Sequence, residues 1–212
     1  APNKTRSVLT LGLSSPPPLL SFYKNPTVLK LTKRYIKKNL QFLNSINYES
    51  PEIEIEKMIR AETKQSISTL FQIGERNKNI YLDFPHSEIE IKKFIDSFNW
   101  DFPWNAGAHF ASLCVFSKTQ LEESLFVKNK LILERNILRY LSKETGSYHS
   151  PSVASSEEVI NGAMKTISGL DWLNSEIHYP DTLIDFCLNN PSRDDGCHIT
   201  DIVYVFYQCL KV

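Results

Sequence analysis

The sequence predicts an all-α protein built as an array of about four antiparallel helical hairpins. Three observations carry that prediction. Apolar residues recur at helical spacing from residue 27 onward, and strand-like alternation never persists. Short connections separate helices of two kinds, charged amphipathic ones and apolar ones rich in small residues. Third, Asn105-Ala-Gly-Ala-His-Phe-Ala-Ser112 and Asn161-Gly-Ala-Met-Lys-Thr-Ile-Ser168 share one pattern. Each reads Asn, two small residues, any residue, a basic or imidazole group, two more residues, then Ser. On a helix these polar positions fall on one line, so each segment carries a single polar stripe on a mostly apolar rod.

Residues 1–26 contain Pro2, the run Pro16-Pro17-Pro18 and Pro26. They read as a proline-rich extended arm packed on the body, because Leu19, Leu20, Phe22 and Tyr23 are too apolar for a free tail. Residues 27–212 read as a single helical-hairpin domain. Its first helix, about 27–46, sets Val28, Leu31, Tyr35, Ile36 and Leu43 against lysines. The second, about 51–74, has Pro51 behind Ser50 and stops at Gly74. The third, about 87–98, opens on Ser87 with Glu90 three residues later, a capping box. The fourth, about 104–117, follows Pro103, and the fifth, about 120–143, ends before Gly146. The sixth, about 156–174, has Ser155 or Ser156 as its cap. The seventh, about 180–189, begins at Pro180, and the eighth, about 197–211, follows Gly196. The fourth, sixth and eighth form the expected inner layer. Each outer helix should pair with the inner one that follows it.

Composition narrows the function. Twenty-four basic and 24 acidic residues give a formal net charge of zero, without the broad positive field that nucleic-acid binding requires. The cluster Lys24, Lys30, Lys33, Arg34, Lys37 and Lys38 is answered by Glu49, Glu52, Glu54 and Glu56. No apolar run reaches the roughly 18 residues a membrane span needs. The four cysteines form no CxxC pair, and Cys114 and Cys209 sit in apolar runs. A reduced, cytoplasmic protein is therefore expected, although Cys187 and Cys197 could bridge in an oxidising compartment.

Candidate chemistry sits on the inner helices. His109, between Asn105 and Ser112, has a side chain suited to general acid or base work near neutrality. Lys165, between Asn161 and Ser168, could steady developing negative charge. His198 and Asp201, three residues apart on the eighth helix, can form an oriented His–Asp pair. Tyr204 and Gln208 extend that stripe, and Ile199, Ile202, Val203, Phe206 and Leu210 form the opposite face, expected to be buried. Glu62 and Gln65 lie on an uncharged-rich stripe of the second helix with Thr69 and Gln72. Trp104 is one of several aromatics near inner-helix starts, with Trp100, Phe102, Tyr148, Trp172 and Tyr179, where rings suit flat ligand faces. There is no glycine-rich phosphate loop, GxSxG elbow or HExxH zinc helix, so neither cofactor nor metal is expected.

The segments Trp100-Asp-Phe-Pro-Trp-Asn-Ala-Gly107, Leu141-Ser-Lys-Glu-Thr-Gly-Ser-Tyr148 and Ile160-Asn-Gly-Ala-Met-Lys165 resemble the outer-to-inner turns of α/α-toroid proteins. That superfamily includes glycan-active enzymes and the prenyltransferase and terpene-cyclase toroids. The DxDD acid motif of the cyclases is absent here. The resemblance implies a central groove for a small polar ligand, most simply a saccharide or glycan fragment. His109, His198, Asp201 and Lys165 would be acid/base candidates for a hydrolase, lyase or epimerase, with Asn105, Trp104, Asn161, Tyr204, Glu62 and Gln65 holding substrate. Four hairpins are fewer than a closed toroid needs, so a second copy or partner subunit would complete the wall. The alternatives are a non-catalytic protein-interaction module and an isoprenoid-binding toroid with a dry, aromatic cavity.

Overall fold

The computed structural model describes residues 51–153, 155–191 and 196–211, with isolated positions 26, 27, 30 and 34; the side chains of residues 51, 52, 54, 55 and 196–198 are outside that set. The extended arm expected over 1–26 and most of the first expected helix therefore lie outside the described residues. The chain divides into two compact units, residues 1–82 and 83–212. Among the described residues there are seven α-helices and no strand.

In the first unit, α1 (Pro51–Gln72) ends at Gly74, whose φ of 79° places it in the left-handed region. Ser66 and Thr69 turn their hydroxyls back onto the carbonyls of Glu62 and Gln65, at 2.8 Å each.

The second unit holds α2 (Glu88–Asp96), α3 (Pro103–Gln120), α4 (Glu123–Ile137), α5 (Ser156–Leu173), α6 (Pro180–Asn189) and α7 (Gly196–Cys209). The expected capping box is present on α2: Ser87 Oγ accepts the Glu90 N–H, and the Glu90 carboxylate accepts the Ser87 N–H. Ser155 caps α5 by accepting the Glu158 N–H, and proline opens both α3 and α6.

The interfaces of this unit depart from a simple outer-with-following-inner pairing. The most extensive joins α3 to α5, two inner helices. A Cβ on Gly162 would lie 2.5 Å from Pro103 Cβ, and one on Gly169 would lie 3.0 Å from Ala111 Cα. One on Gly107 would meet Thr166 Oγ1 at 2.8 Å. Contacts thus advance together along both helices, so α3 and α5 run parallel with their backbones unusually close. On its other side α5 meets α7, where Ile160, Ala163 and Ile167 share a core with Val205 and Cys209. Gln208 and Lys211, at the end of α7, border the same cleft as Asp171 and Asn174 at the end of α5. Outer α2 lies on outer α4, and α6 lies on α7.

Between α4 and α5 the chain makes a 3-10 turn (Leu138–Tyr140) and a tight loop closed by pairing of Leu141 with Tyr148. Gly146 sits in that loop at φ 70°, and a Cβ there would lie 2.7 Å from both Leu183 N and Tyr179 O. Only glycine satisfies both demands. Asp96 ties α2 to the turn through Arg139 at 2.6 Å and also pairs with Lys92 at 2.9 Å. The hydrogen bond from Arg139 is the main reason its carboxyl is held down to about 2. Trp100, almost fully buried, stacks on Tyr140 with ring centres 4.3 Å apart.

Cys114, Cys187 and Cys209 are buried free thiols. Burial pushes Cys187 up to about 12 and Cys209 up to about 11. Cys197, the partner considered for Cys187, has its side chain outside the described residues. No described helix is long and apolar enough to cross a membrane.

Candidate functional site

The two polar stripes do not face one hollow. At about 100° per residue, His109 lies roughly 200° around α3 from Gly107, and Ser112 roughly 140°. Gly107 faces α5, so the Asn105–His109–Ser112 line lies on the far side of α3. On α5, Asn161, Lys165 and Ser168 lie about 60–120° to one side of Gly162, flanking the crossing. Both serine hydroxyls are used locally. Ser112 Oγ donates to Ala108 O at 2.9 Å, and Ser168 Oγ donates to Lys165 O at 2.7 Å. The His109 ring is buried, tilted against Phe98 with centroids 5.3 Å apart. Lys165 is half-buried beside Gly107, and Asn161 is half-buried on the same line. Asn105 and Trp104 are exposed at the start of α3, where the Trp104 N–H donates to Glu158. Glu62 and Gln65 are exposed on α1, in the other unit.

Helix α7 is where sequence-derived polar residues do reach a cavity. Its inward line is Asp201, Val205 and Gln208, all buried, with Tyr204 alongside. The side chain of His198 lies outside the described residues, so its expected pairing with Asp201 does too. The opposite face departs from expectation: Ile199, Val203 and Leu210, expected to be buried, are 53%, 59% and 75% exposed. The cause is that α7 has few charges to mark its outer side. Its two apolar lines look alike in sequence, and the one bearing Val205 and Cys209 packs inward.

The ends of α5 and α7 line a cavity of about 340 Å³ that opens to solvent. Ile167 and Ile177 supply apolar lining, Asn174, Ser175 and Gln208 supply neutral polar groups, and Asp171, Glu176 and Lys211 supply charge. The walls are braced. Asn174 ends α5 in the left-handed conformation at φ 53°, and its carbonyl accepts from Lys130 Nζ at 2.9 Å. Ser175 Oγ donates to Glu134 Oε1 at 2.6 Å. On α7, Gln208 is 5% exposed and bridges two neighbours: its Nε2 donates to Tyr204 Oη at 3.0 Å, and its Oε1 accepts from Lys211 Nζ at 2.9 Å. Burial, and then the nearby Asp171 carboxylate, push the Tyr204 phenol up, so it stays protonated near neutrality.

Of the residues named from sequence, the cavity takes in the end of the Asp201–Tyr204–Gln208 stripe. Asp171, Asn174, Ser175, Glu176 and Lys211 were missed because they sit at helix ends, where helical periodicity stops being informative. Two signals pointed there. Asn174 falls where a left-handed helix stop is expected, and Lys211 continues the Tyr204–Gln208 line by one more turn. No group of three or more His, Cys, Asp or Glu suited to a metal occurs among the described residues.

Comparison with protein families, with curated proteins and with solved structures gives no match. Fold and site together define an all-α protein whose second unit packs α3 parallel to α5 and carries a braced polar cavity lined by the ends of α5 and α7.

Proposed function

We propose that this protein binds a small polyhydroxylated ligand, a saccharide or glycan fragment, in the cavity between the ends of α5 and α7. The observation that carries the reading is Gln208, a buried amide held from both sides by Tyr204 and Lys211 at the cavity wall. A fixed amide orients hydroxyl groups with little entropy left to lose on binding. Asn174 and Ser175 add neutral polar groups, while Ile167 and Ile177 suit the C–H face of a sugar ring. The volume lies near the lower end of the roughly 300–1,000 Å³ usual for ligand pockets, which suits a monosaccharide-sized group. The polar lining favours this reading over a dry isoprenoid site.

The close parallel packing of α3 on α5, with α7 on the other side of α5, supports the wider proposal that the second unit is an arc of repeated hairpins of α/α-toroid type. Acid/base catalysis by His109 and Lys165 gains no support from their placement on separate sides of the α3–α5 crossing, so the proposed role is binding.

Titration with glucose, followed through backbone amide resonances, tests the reading. Saturable shifts should cluster at Asn174, Ser175 and Gln208, and Gln208→Ala should weaken binding about five- to tenfold, the worth of roughly one hydrogen bond. Absent or scattered shifts would overturn it.

A second reading, an interaction module, draws on a different observation. Ile199, Val203, Tyr207 and Leu210 form an exposed apolar line along the whole of α7.

A further inference from the structure

We infer that the α5–α7 cavity selects ligands bearing a positive charge, an amino sugar or similar ammonium-bearing polyol, over neutral and anionic ones. This rests on the binding role proposed above and adds the charge of the ligand.

Charge around the cavity is unbalanced. Asp171 and Glu176 supply two carboxylates, and Lys211 is the single lining cation. Lys211 is already engaged, since its ammonium donates to Gln208 Oε1 and lies 4.2 Å from the Tyr207 ring centre. A cation held between an amide oxygen and a ring face is poorly placed to receive an anionic ligand. Lys130, behind the wall, donates to Asn174 O and lies 3.7 Å from Glu134. Its charge is answered from outside the cavity.

The backbone adds to the imbalance. Both α5 and α7 end here, and a helix C-terminus carries the equivalent of about half a negative charge from its last carbonyls. The Asp171 charge also reaches inward, as its effect on the Tyr204 phenol indicates. A ligand ammonium near Asp171 and Glu176 would meet two carboxylates and two helix ends, while its hydroxyls reach Asn174 and Gln208. A ligand carboxylate in the same place would meet like charge.

Calorimetric titration of the full chain at low salt with glucosamine, glucose and glucuronate decides the matter. Glucosamine should bind about tenfold tighter than glucose, equivalent to about 1.4 kcal/mol, and glucuronate more weakly than either. Raising the salt should shrink the preference, because the cavity is open to solvent and its charges are screened. The double substitution Asp171→Asn with Glu176→Gln should bring the glucosamine-to-glucose ratio to about one. Equal affinity for the two sugars, tighter glucuronate, or a preference that survives the double substitution would overturn charge selection while leaving the binding role intact. Binding of none of the three would overturn both.

Discussion

Asn129 lies on α4 with no exposed surface, and neither atom of its amide makes a hydrogen bond among the described residues. About two helical turns away, Asn136 is also buried but donates to Ile132 O at 2.8 Å. An unbonded buried amide costs stability that an apolar group of similar shape does not. Asn129→Leu is therefore expected to raise the unfolding free energy by about 1–3 kcal/mol. The shift should appear as a higher urea midpoint with unchanged slope. A fall in the midpoint would show that the amide serves a role the packing does not display. At this scale sequence reading succeeded where the signal was local. Ser87 with Glu90, and Ser155 before its helix, could be named as caps because a cap needs only neighbouring residues. It failed with Ser112 and Ser168. A hydroxyl inside a helix can bond its own backbone three or four residues earlier, and nothing in the sequence distinguishes that from reaching a ligand.

Between elements, the paired stripes turn out to mark a packing device. The residues that matter at the α3–α5 crossing are the small ones, Gly107, Ala111, Gly162 and Gly169, rather than the polar ones beside them. Two effects oppose each other for Gly162→Ala. Helix propensity favours alanine by up to about 1 kcal/mol. Against that, the new Cβ would sit 2.5 Å from Pro103 Cβ and 2.8 Å from Pro103 C, which belongs to rigid backbone. Overpacking of this kind typically costs about 1–3 kcal/mol, so the steric term wins and the variant should be less stable in thermal or urea unfolding. A neutral or stabilised Gly162→Ala would mean that α3 and α5 do not approach this closely. Helices bounded by caps and prolines were legible closely, α6 as 180–189 included, whereas the helix expected over about 120–143 is the shorter α4, Glu123–Ile137. Which helices would touch was not. Periodicity identifies an apolar face but not its partner, and the preference of α3 for α5 over α2 depends on close approach between glycines 55 positions apart.

For the second unit as a whole, the array has an unfinished edge. Helix α5 is flanked by α3 and α7, whereas α7 meets α5 and α6 and leaves Ile199, Val203, Tyr207 and Leu210 facing outward at 53–75% exposure. These four positions follow one line, at spacings of four, four and three residues, with no acidic or basic side chain among them. A line of this kind is what an inner helix of a hairpin array presents to its next neighbour. Contiguous exposed apolar surface also drives association in water. If a second copy is that neighbour, a two-fold pairing sets the same line against itself, and the protein should show concentration-dependent mass in sedimentation velocity. Replacing Val203 and Tyr207 together by glutamate would place like charges at the centre of that contact. Dimerisation should weaken at least about tenfold, with each 1.4 kcal/mol of lost contact worth one such factor. Helical content should not change, because both positions already face solvent in the single chain. A wild-type chain that stays monomeric at high concentration would assign the α7 line to a different partner, and a double variant that still dimerises would place the contact elsewhere.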